Sequence, residues 1–248
     1  RTNDGGNSWL RIPLSDQFIG GVTDIAVDGY ERLVYVGTDT AGLFRLRDVG
    51  SSMVVSGQLL LDEPVVQVAA DSTGAGMAFV RTQWHLYRAQ DFGLTWLEVE
   101  DLKSIPTAVE VANTTPATVF VGTTDHGILK SHDGLAWESA NQGLATLPGA
   151  RLSIDALAVD PAQPDVVYVA TSLVQGTSLV YAAPQGVSVS IDGANEWASL
   201  HTDSEFTMAE LMPVSGATGA VYAVTTQSRS PMALGSAAQA DLGPVPVT

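Results

Sequence analysis

The octapeptide TNDGGNSW at residues 2–9 returns as AQDFGLTW at residues 89–96. Both copies place a small or hydroxyl residue, Asp, Gly, Ser or Thr, and Trp at the same spacing. Looser copies follow as SHDGLAW at residues 131–137 and SIDGANEW at residues 190–197. Four of the five Trp of the chain end one of these motifs. Such self-similarity predicts a repeat architecture before any single residue is considered.

A worn fifth copy keeps its aspartate, glycine and serine but has Leu46 in place of the first hydroxyl residue and Met53 in place of Trp. With it, the motif aspartates are spaced by 44, 43, 42 and 59 residues. A period of about 40 residues is typical of one four-stranded propeller blade. The aspartates that define the period are Asp4, Asp48, Asp91, Asp133 and Asp192.

Each period also has the composition of a blade. An alternating apolar stretch and a turn precede a dense β-branched and aromatic run, such as LVYVG at 33–37 or VFVG at 119–122, and a third short strand leads into the motif. No stretch shows helical periodicity. Short β-rich runs bounded by turn residues predict an all-β fold, here a β-propeller of four-stranded blades.

These phrases resemble the Asp-box, or BNR, repeat of sialidases, sortilin-type receptors, plant-polysaccharide hydrolases and photosystem assembly propellers. The resemblance extends over nearly the whole chain, including VFVGTTDHGILKSHDG at 119–134 and AVDPAQPDVVYVATS at 158–172. It implies the propeller fold. It does not imply one activity, because its members have unrelated activities.

The chemistry of the motif indicates a structural role. An Asp carboxylate and a Ser or Thr hydroxyl accept hydrogen bonds from the backbone of their own turn, and Gly supplies a positive φ. A Trp ring buries a large area and anchors the loop against the strands. We therefore expect the five motif aspartates to staple turns between third and fourth strands, with Trp9, Trp96, Trp137 and Trp197 packed beneath them.

The strand pattern predicts one propeller domain over 1–240 and a loose tail over 241–248. The first motif begins at the N-terminus, so residues 9–13 are expected to supply a fourth strand for a blade whose other strands come from 207–214, 220–224 and 232–238. That pairing closes five blades without an exposed edge. The alternative is a fragment of a six- or seven-bladed propeller.

The composition limits the classes of partner that the chain is expected to bind. The chain has 11 basic and 27 acidic residues, a net charge of −16, and no cysteine. This charge disfavours nucleic acid and anionic lipid and favours basic or neutral partners. No apolar run approaches the roughly 18 residues of a membrane span. Low charge density, together with the habit of the resembled family, predicts an extracytoplasmic location.

Binding residues are expected on the face opposite the motifs, where second-to-third strand loops lie. The longest interval has its surplus at 172–184, which predicts a protruding hairpin. Trp84 is the one Trp outside the motifs and lies near Arg81; it is either a contact residue or a cover for blade packing. The candidate binding residues are Asp39, Arg81, Trp84, Asp125, His126 and Tyr181.

The sequence predicts no catalytic constellation, no metal site and no cofactor. The four histidines show no metal-binding spacing. Glu98, Glu100 and Asp101 have the ligand chemistry of a calcium site, but an acidic strand edge explains them equally well.

Function is therefore predicted as a non-catalytic interaction module for a protein or glycan. One alternative is an accessory subunit or assembly factor of a membrane protein complex. The other is a sialidase-like glycoside hydrolase. The phrase Leu10-Arg11-Ile12-Pro13 resembles a sialidase segment, yet it follows the first motif instead of preceding it.

Overall fold

A computed structural model describes residues 1–16, 18–175, 182–201, 206–226 and 232–234. Within these ranges the chain is built of short antiparallel strands, and its only helix is one 3-10 turn at Glu100–Leu102. It divides into two compact units, Arg1–Glu98 and Val99–Thr248. The single-domain assignment of 1–240 stays a prediction, and the tail at 241–248 lies outside the described residues.

The first unit contains two four-stranded sheets, each in the simple order of the chain, which is the topology of a propeller blade. The strands of the first sheet are β1 (Val22–Asp28), β2 (Leu33–Thr38), β3 (Leu43–Asp48) and β4 (Met53–Leu59). Those of the second are β5 (Gln67–Ala70), β6 (Ala78–Arg81), β7 (Leu86–Ala89) and β8 (Leu97–Glu98).

The second unit contains two further four-stranded sheets and one that shows three strands among the described residues. The first has β9 (Pro106–Ala112), β10 (Thr118–Thr123), β11 (Ile128–Ser131) and β12 (Glu138–Ser139). The next has β13 (Ala150–Asp160), β14 (Gln163–Gln175), β15 (Ala182–Ser190) and β16 (Ala198–His201). The last has β17 (Met208–Pro213), β18 (Val221–Thr225) and β19 (Met232–Leu234).

The second strand of each four-stranded sheet is the most deeply buried. β10 is buried along its whole length, and β2 is buried at all but one position. Strands covered on both faces read as continuous runs of β-branched and aromatic residues, which is the pattern of these segments. Face-to-face packing of neighbouring sheets therefore builds the core within each unit. In the first unit, Leu33, Tyr35 and Leu43 of one sheet pack with Val68 and Val80 of the other.

The N-terminal segment differs from the expected fourth strand. Residues 9–13 form no strand, and Leu10 instead exchanges two backbone hydrogen bonds with Arg1, at 2.8 and 2.9 Å. The local turn of the first motif holds these two residues opposite each other. The number of blades stays a prediction.

The long interval before the last motif is taken up by a strand extension. β13 and β14 pair as far as Ala150 with Gln175, and β14 pairs with β15 as far as Val174 with Ala182. The predicted hairpin is thus present in the described part of 172–184. Its base is core, however, because Leu173 and Val174 are buried. Residues 176–181, which include the candidate Tyr181, lie outside the described residues.

Candidate functional site

The motif turns between third and fourth strands fold around their aspartates. The amides of Leu94 and Thr95 donate to Asp91 Oδ1 at 3.0 and 2.9 Å, and the Thr95 hydroxyl donates to Oδ2 at 2.6 Å. Ser8 makes the same two bonds to Asp4, at 3.0 Å from its amide and 2.6 Å from its hydroxyl. Each carboxylate therefore ties together a turn that would otherwise leave backbone amides without acceptors.

The looser copies keep the amide bonds. Two amides donate to Asp133 Oδ1 at 2.8 and 2.9 Å, and two donate to Asp192 Oδ1 at 3.1 and 3.0 Å. The leading serine of each motif, Ser131 or Ser190, donates its hydroxyl to the aspartate and accepts a backbone amide in return. These two motifs lack the later hydroxyl residue, so the backbone supplies most of the stapling.

Hydrogen bonding lowers the pKa of each of these aspartates. The Ser8 hydroxyl holds the pKa of Asp4 well below its usual range, the amides of the turn lower the pKa of Asp133, and the Ser190 hydroxyl lowers that of Asp192. Burial would raise the pKa of Asp91, but the Thr95 bonds outweigh it and the net direction is down. All four are ionised turn acceptors at neutral pH, which is the opposite of what a general acid needs.

The worn copy is held differently. Asp48 accepts the Gly50 amide at 2.7 Å and pairs with Arg1 at 2.7 Å and with Arg32 at 3.4 Å. The Gly50 amide is the largest cause of its lowered pKa, and Arg1 and Arg32 add to the effect. Asp48 thus keeps a turn amide, and two arginines take the place of the hydroxyls that bind the aspartates of other copies.

The four motif tryptophans differ in burial. Trp197 is 4% exposed and donates its indole N–H to the Ala140 carbonyl at 2.7 Å. Trp96 packs edge-on against Tyr35, with ring centroids 6.3 Å apart. Trp9 is 73% exposed, so the expectation that each motif Trp buries its ring does not hold there. Trp9 lines an open pocket with residues of the first sheet, among them Leu46 and Met53, but most of its ring stays exposed.

A buried cation on one sheet braces the motif turn of the next. Arg45 on β3 donates from Nε to the carbonyl of Phe92, the residue after Asp91, at 2.6 Å. Lys130 on β11 donates from Nζ to Asn195 Oδ1 at 2.9 Å and to the carbonyl of Gly193, the residue after Asp192, at 3.5 Å. Both cations are buried. Sequence reasoning missed this device, although a basic residue on the third strand, three positions before the motif aspartate, is a readable signal in both cases.

The loops between second and third strands, on which binding residues were expected, are themselves stapled. Thr38 and Thr123 end β2 and β10, Thr82 directly follows β6, and all three are fully buried. Each hydroxyl donates across the loop, to the carbonyl of Gly42 at 2.7 Å, of His85 at 3.3 Å or of Gly127 at 2.7 Å. The loops that follow are short and are held at both ends, so they present side chains in fixed positions.

Two of the predicted binding residues take part in such local structure. Asp39 accepts the Gly21 amide at 2.8 Å and thereby holds the segment that enters β1. Asp125 is bound by the Ser104 hydroxyl, by His126 Nδ1 at 2.7 Å and by Arg151 Nη1 at 3.1 Å. Burial would raise the pKa of Asp125, but these three partners bring it below its usual range.

The Asp125 cluster joins two sheets of the second unit. Asp125 lies on the loop between β10 and β11, whereas Arg151 lies on β13, and His126 forms a parallel bridge with Leu152 of the same strand. Ser104 and Arg151 were not among the candidates because nothing in their local sequence links them to Asp125. With its carboxylate occupied, Asp125 acts as a clasp, and His126 is left with a half-exposed ring.

Trp84 and its neighbours form the most accessible candidate in the first unit. The Trp84 side chain is 51% exposed, while Thr82 accepts its amide at 3.3 Å and fixes the backbone. Burial lowers the pKa of the neighbouring Arg81 to about 10, and Arg81 Nε donates to Gln67 at 3.3 Å. Arg81 is therefore a packed residue, whereas Trp84 is available for contact.

His85, the residue after Trp84, is the centre of an acidic and aromatic group. His85 Nδ1 lies 2.9 Å from Glu63 Oε1, and His85 Nε2 lies 3.9 Å from Glu98 Oε1. The 2.9 Å approach is misaligned for a hydrogen bond, and the buried Glu63 Oε2 has no hydrogen-bond partner among the described residues. The Tyr87 ring lies 6.3 Å from the His85 ring.

Neither a metal site nor a membrane span is found in the part of the chain that the structure describes. No three His, Asp or Glu residues there are grouped so that they could hold a metal ion. None of its helices has the length and apolar character needed to cross a membrane.

Comparison with known proteins identifies the fold. No family model matches the chain, and no curated protein matches it in sequence. Among solved structures it is similar to the GH74 enzyme of Niastella koreensis, with a TM-score of 0.56 and 19% identity over 86% of this chain; the match spans only 35% of the enzyme. It is also similar to a chain of a nidogen/laminin complex, with a TM-score of 0.54 and 12% identity over 90% of this chain and 79% of that one.

A third similar structure is YCF48 from Cyanidioschyzon merolae, with a TM-score of 0.54 and 12% identity over 86% of this chain and 66% of that chain. At such identities the similarity establishes the fold alone. The chain is all-β, and its fold is that of a β-propeller.

Proposed function

We propose that the protein is a non-catalytic propeller that binds a partner through its second-to-third strand loops. The observation that carries this proposal is Trp84, a large aromatic side chain that is half exposed on a loop whose backbone is fixed by the buried Thr82. An exposed Trp on a rigid loop is costly to leave in water and is the residue type most enriched at the centre of interfaces. The similarity of the protein to a chain of a nidogen/laminin complex supports a protein as the partner.

The experiment compares Trp84→Ala with Trp9→Ala in a pull-down from the native source. Trp9 is the matched control because it is even more exposed but belongs to a motif turn. We expect Trp84→Ala to lose a specific partner that Trp9→Ala retains. Equal retention by both variants would contradict the assignment of the surface. Release of sugar from a glycan panel at enzymatic rates would contradict the non-catalytic role.

The chain is further proposed to be an Asp-box propeller in an extracytoplasmic compartment. Four turns that share the same carboxylate-to-amide bonds, at Asp4, Asp91, Asp133 and Asp192, support the first statement. The low charge density and the kinds of protein that carry such repeats support the second. Fractionation of the native source tests the location, and recovery in the cytoplasmic fraction alone would contradict it.

A second candidate function, glycoside hydrolysis, is favoured by Asp155 on β13. Burial raises the pKa of this carboxyl to about 6, although the Ser172 hydroxyl, at 2.5 Å, opposes the shift. A carboxyl whose pKa is raised towards neutrality suits a general acid, and glycosidases pair such an acid with a second carboxylate roughly 5–10 Å away. The neighbouring strand β17 carries Glu210. Loss of measurable turnover in Asp155→Asn would favour this candidate over the first.

A further inference from the structure

His85, which directly follows the exposed Trp84 in the chain, contacts two carboxylates and an aromatic ring, all within the first unit. We define the aromatic–acidic patch as Glu63, Trp84, His85, Tyr87 and Glu98. Tyr87 and Glu98 are directly paired across β7 and β8, so the ring and the carboxylate belong to one rigid hairpin. His85 connects the hairpin to Glu63 on the segment before β5 through the contacts of 2.9 and 3.9 Å.

The charge of this surface is negative and only partly compensated. Burial is the largest cause of the raised pKa of Tyr87, but Glu98, Glu63 and Asp62 add to it, which shows that three carboxylates act on one phenol. The basic side chain in contact with both carboxylates is the imidazole of His85. The carboxylates of Glu63 and Glu98 are therefore paired with an imidazole instead of with a Lys or Arg.

One acceptor in the patch also lacks a donor. Glu63 Oε2 is buried and receives no hydrogen bond from the described residues, and the misaligned approach of His85 Nδ1 does not supply one. A carboxylate oxygen in this state costs free energy until a donor reaches it.

Aromatic rings beside carboxylates favour one kind of ligand, a planar cation that donates hydrogen bonds. Aromatic faces attract cations, and a guanidinium both stacks on a Trp or Tyr ring and donates in pairs to carboxylates. An ammonium or a neutral hydroxyl satisfies only part of that set. Resting on the function proposed above, we propose that the aromatic–acidic patch binds an arginine side chain of a basic protein partner, with Trp84 as the stacking ring and Glu63 and Glu98 as acceptors.

The net charge of the chain supports a basic partner over an acidic one. At −16 the protein attracts cationic chains over distances up to the screening length, about 8 Å at physiological salt. The patch then supplies a local site at which an attracted arginine is held. This second step is what separates the proposal from general attraction to an acidic surface.

The test uses the whole chain and two synthetic peptides. One is an acetylated, amidated (Gly-Arg)4 peptide, and the other replaces each Arg by citrulline, which has the same shape without the charge. Binding is measured by calorimetry, and the indole N–H signals of the five Trp are followed by NMR. We expect saturable binding of the arginine peptide alone, with the Trp84 signal shifting and the Trp9 signal unchanged.

Variants locate the site. Glu98→Gln and Glu63→Gln should each weaken binding about tenfold, since each removes a charged hydrogen bond, and Trp84→Ala should abolish saturable binding. The matched control is Glu138→Gln on β12. The Glu138 side chain is more exposed than that of Glu63 or Glu98 and lies outside the patch. Equal weakening by Glu138→Gln, or equal binding of the citrulline peptide, would overturn the proposal.

The pull-down described above separates the two proposals. If Trp84→Ala loses its native partner while Glu63→Gln and Glu98→Gln retain it, the binding face stands and the arginine site is wrong. If all three variants retain every partner, the loop face itself is wrong. Circular dichroism and a thermal melt of each variant show whether it is folded, so an unfolded variant is not counted as a result.

Discussion

Four aspartates of this chain have four different environments, and each environment gives its aspartate a different role. Asp91 is a turn acceptor bound by amides and a hydroxyl, Asp48 is paired with arginines, and Asp125 clasps two sheets. Asp155 is a partly buried acid whose pKa is raised by burial. The motif pattern predicts the position of Asp91 in its turn, since all its partners lie within four residues. It gives no sign of Arg151 or Ser172, because those partners come from distant parts of the chain.

Replacement of a staple aspartate should destabilise the protein and reduce its sensitivity to acid. The lowered pKa of Asp91 means that its stabilising effect is complete above the ordinary value of 3.8 and is lost as the pH falls through the lower folded-state value. We expect Asp91→Asn to cost roughly 1 kcal/mol at pH 7, because the amide keeps only part of the hydrogen bonding. Thermal melts between pH 7 and pH 2 check this; curves parallel to the wild type would contradict it.

Asp155 should show the opposite pH dependence. Its folded-state pKa of about 6 lies above the ordinary 3.8, so its contribution to stability falls as the pH rises from about 4 to about 6. Asp155→Asn keeps an acceptor for the Ser172 hydroxyl without the cost of ionisation. We expect the variant to be more stable than the wild type at pH 7 and equal to it near pH 4. A variant less stable at both values would show that the carboxyl is needed for another reason.

At the scale of elements, the sequence predicted the four-stranded sheets well and their contacts poorly. Runs such as 33–37 and 119–122 are strands because they combine β-branched residues with flanking turns, and those signals are local. The fate of a motif Trp depends instead on the sheet packed against it. Trp197 reaches the Ala140 carbonyl of the preceding sheet, whereas residues 9–13, although similar in pattern to other fourth strands, form no strand.

Replacing the buried Trp197 and replacing the exposed Trp9 should have very different effects on the stability of the protein. Trp197→Ala removes a buried ring and leaves the Ala140 carbonyl without its donor, which should cost about 3–5 kcal/mol. Trp9→Ala removes an exposed ring and should change stability by less than about 0.5 kcal/mol. Urea unfolding followed by far-UV circular dichroism measures both. A loss for Trp9→Ala as large as that for Trp197→Ala would mean that Trp9 is covered in solution.

For the whole molecule, the dominant physical property is its charge. With 27 acidic and 11 basic residues, any association with a basic partner is steered by attraction that salt screens. The net charge follows from the sequence alone. The location of the contact surface does not, because Glu63, His85 and Glu98 come together only when β7 and β8 pair and the segment before β5 packs beside them.

Salt should therefore slow partner association more than it speeds dissociation. Raising the salt concentration from about 0.05 M to about 0.5 M shortens the screening length severalfold. It should lower the association rate by roughly tenfold or more. Stopped-flow or surface measurements with the captured partner separate the two rates. An association rate that does not change with salt would argue against a basic partner.

The buried cations Arg45 and Lys130 have a consequence for how such a chain can be altered or copied. Each cation stands on one sheet and holds a turn that belongs to the next, at Phe92 and at Gly193 and Asn195. A sheet cut out at its loops and grafted elsewhere would lose either its brace or the turn that it braces. The braces join Arg45 to Phe92 and Lys130 to Gly193 and Asn195, so a crossover inside either span separates a cation from the turn that it holds. Recombination is therefore best tolerated between the two spans, after the Asp91 turn and before β11.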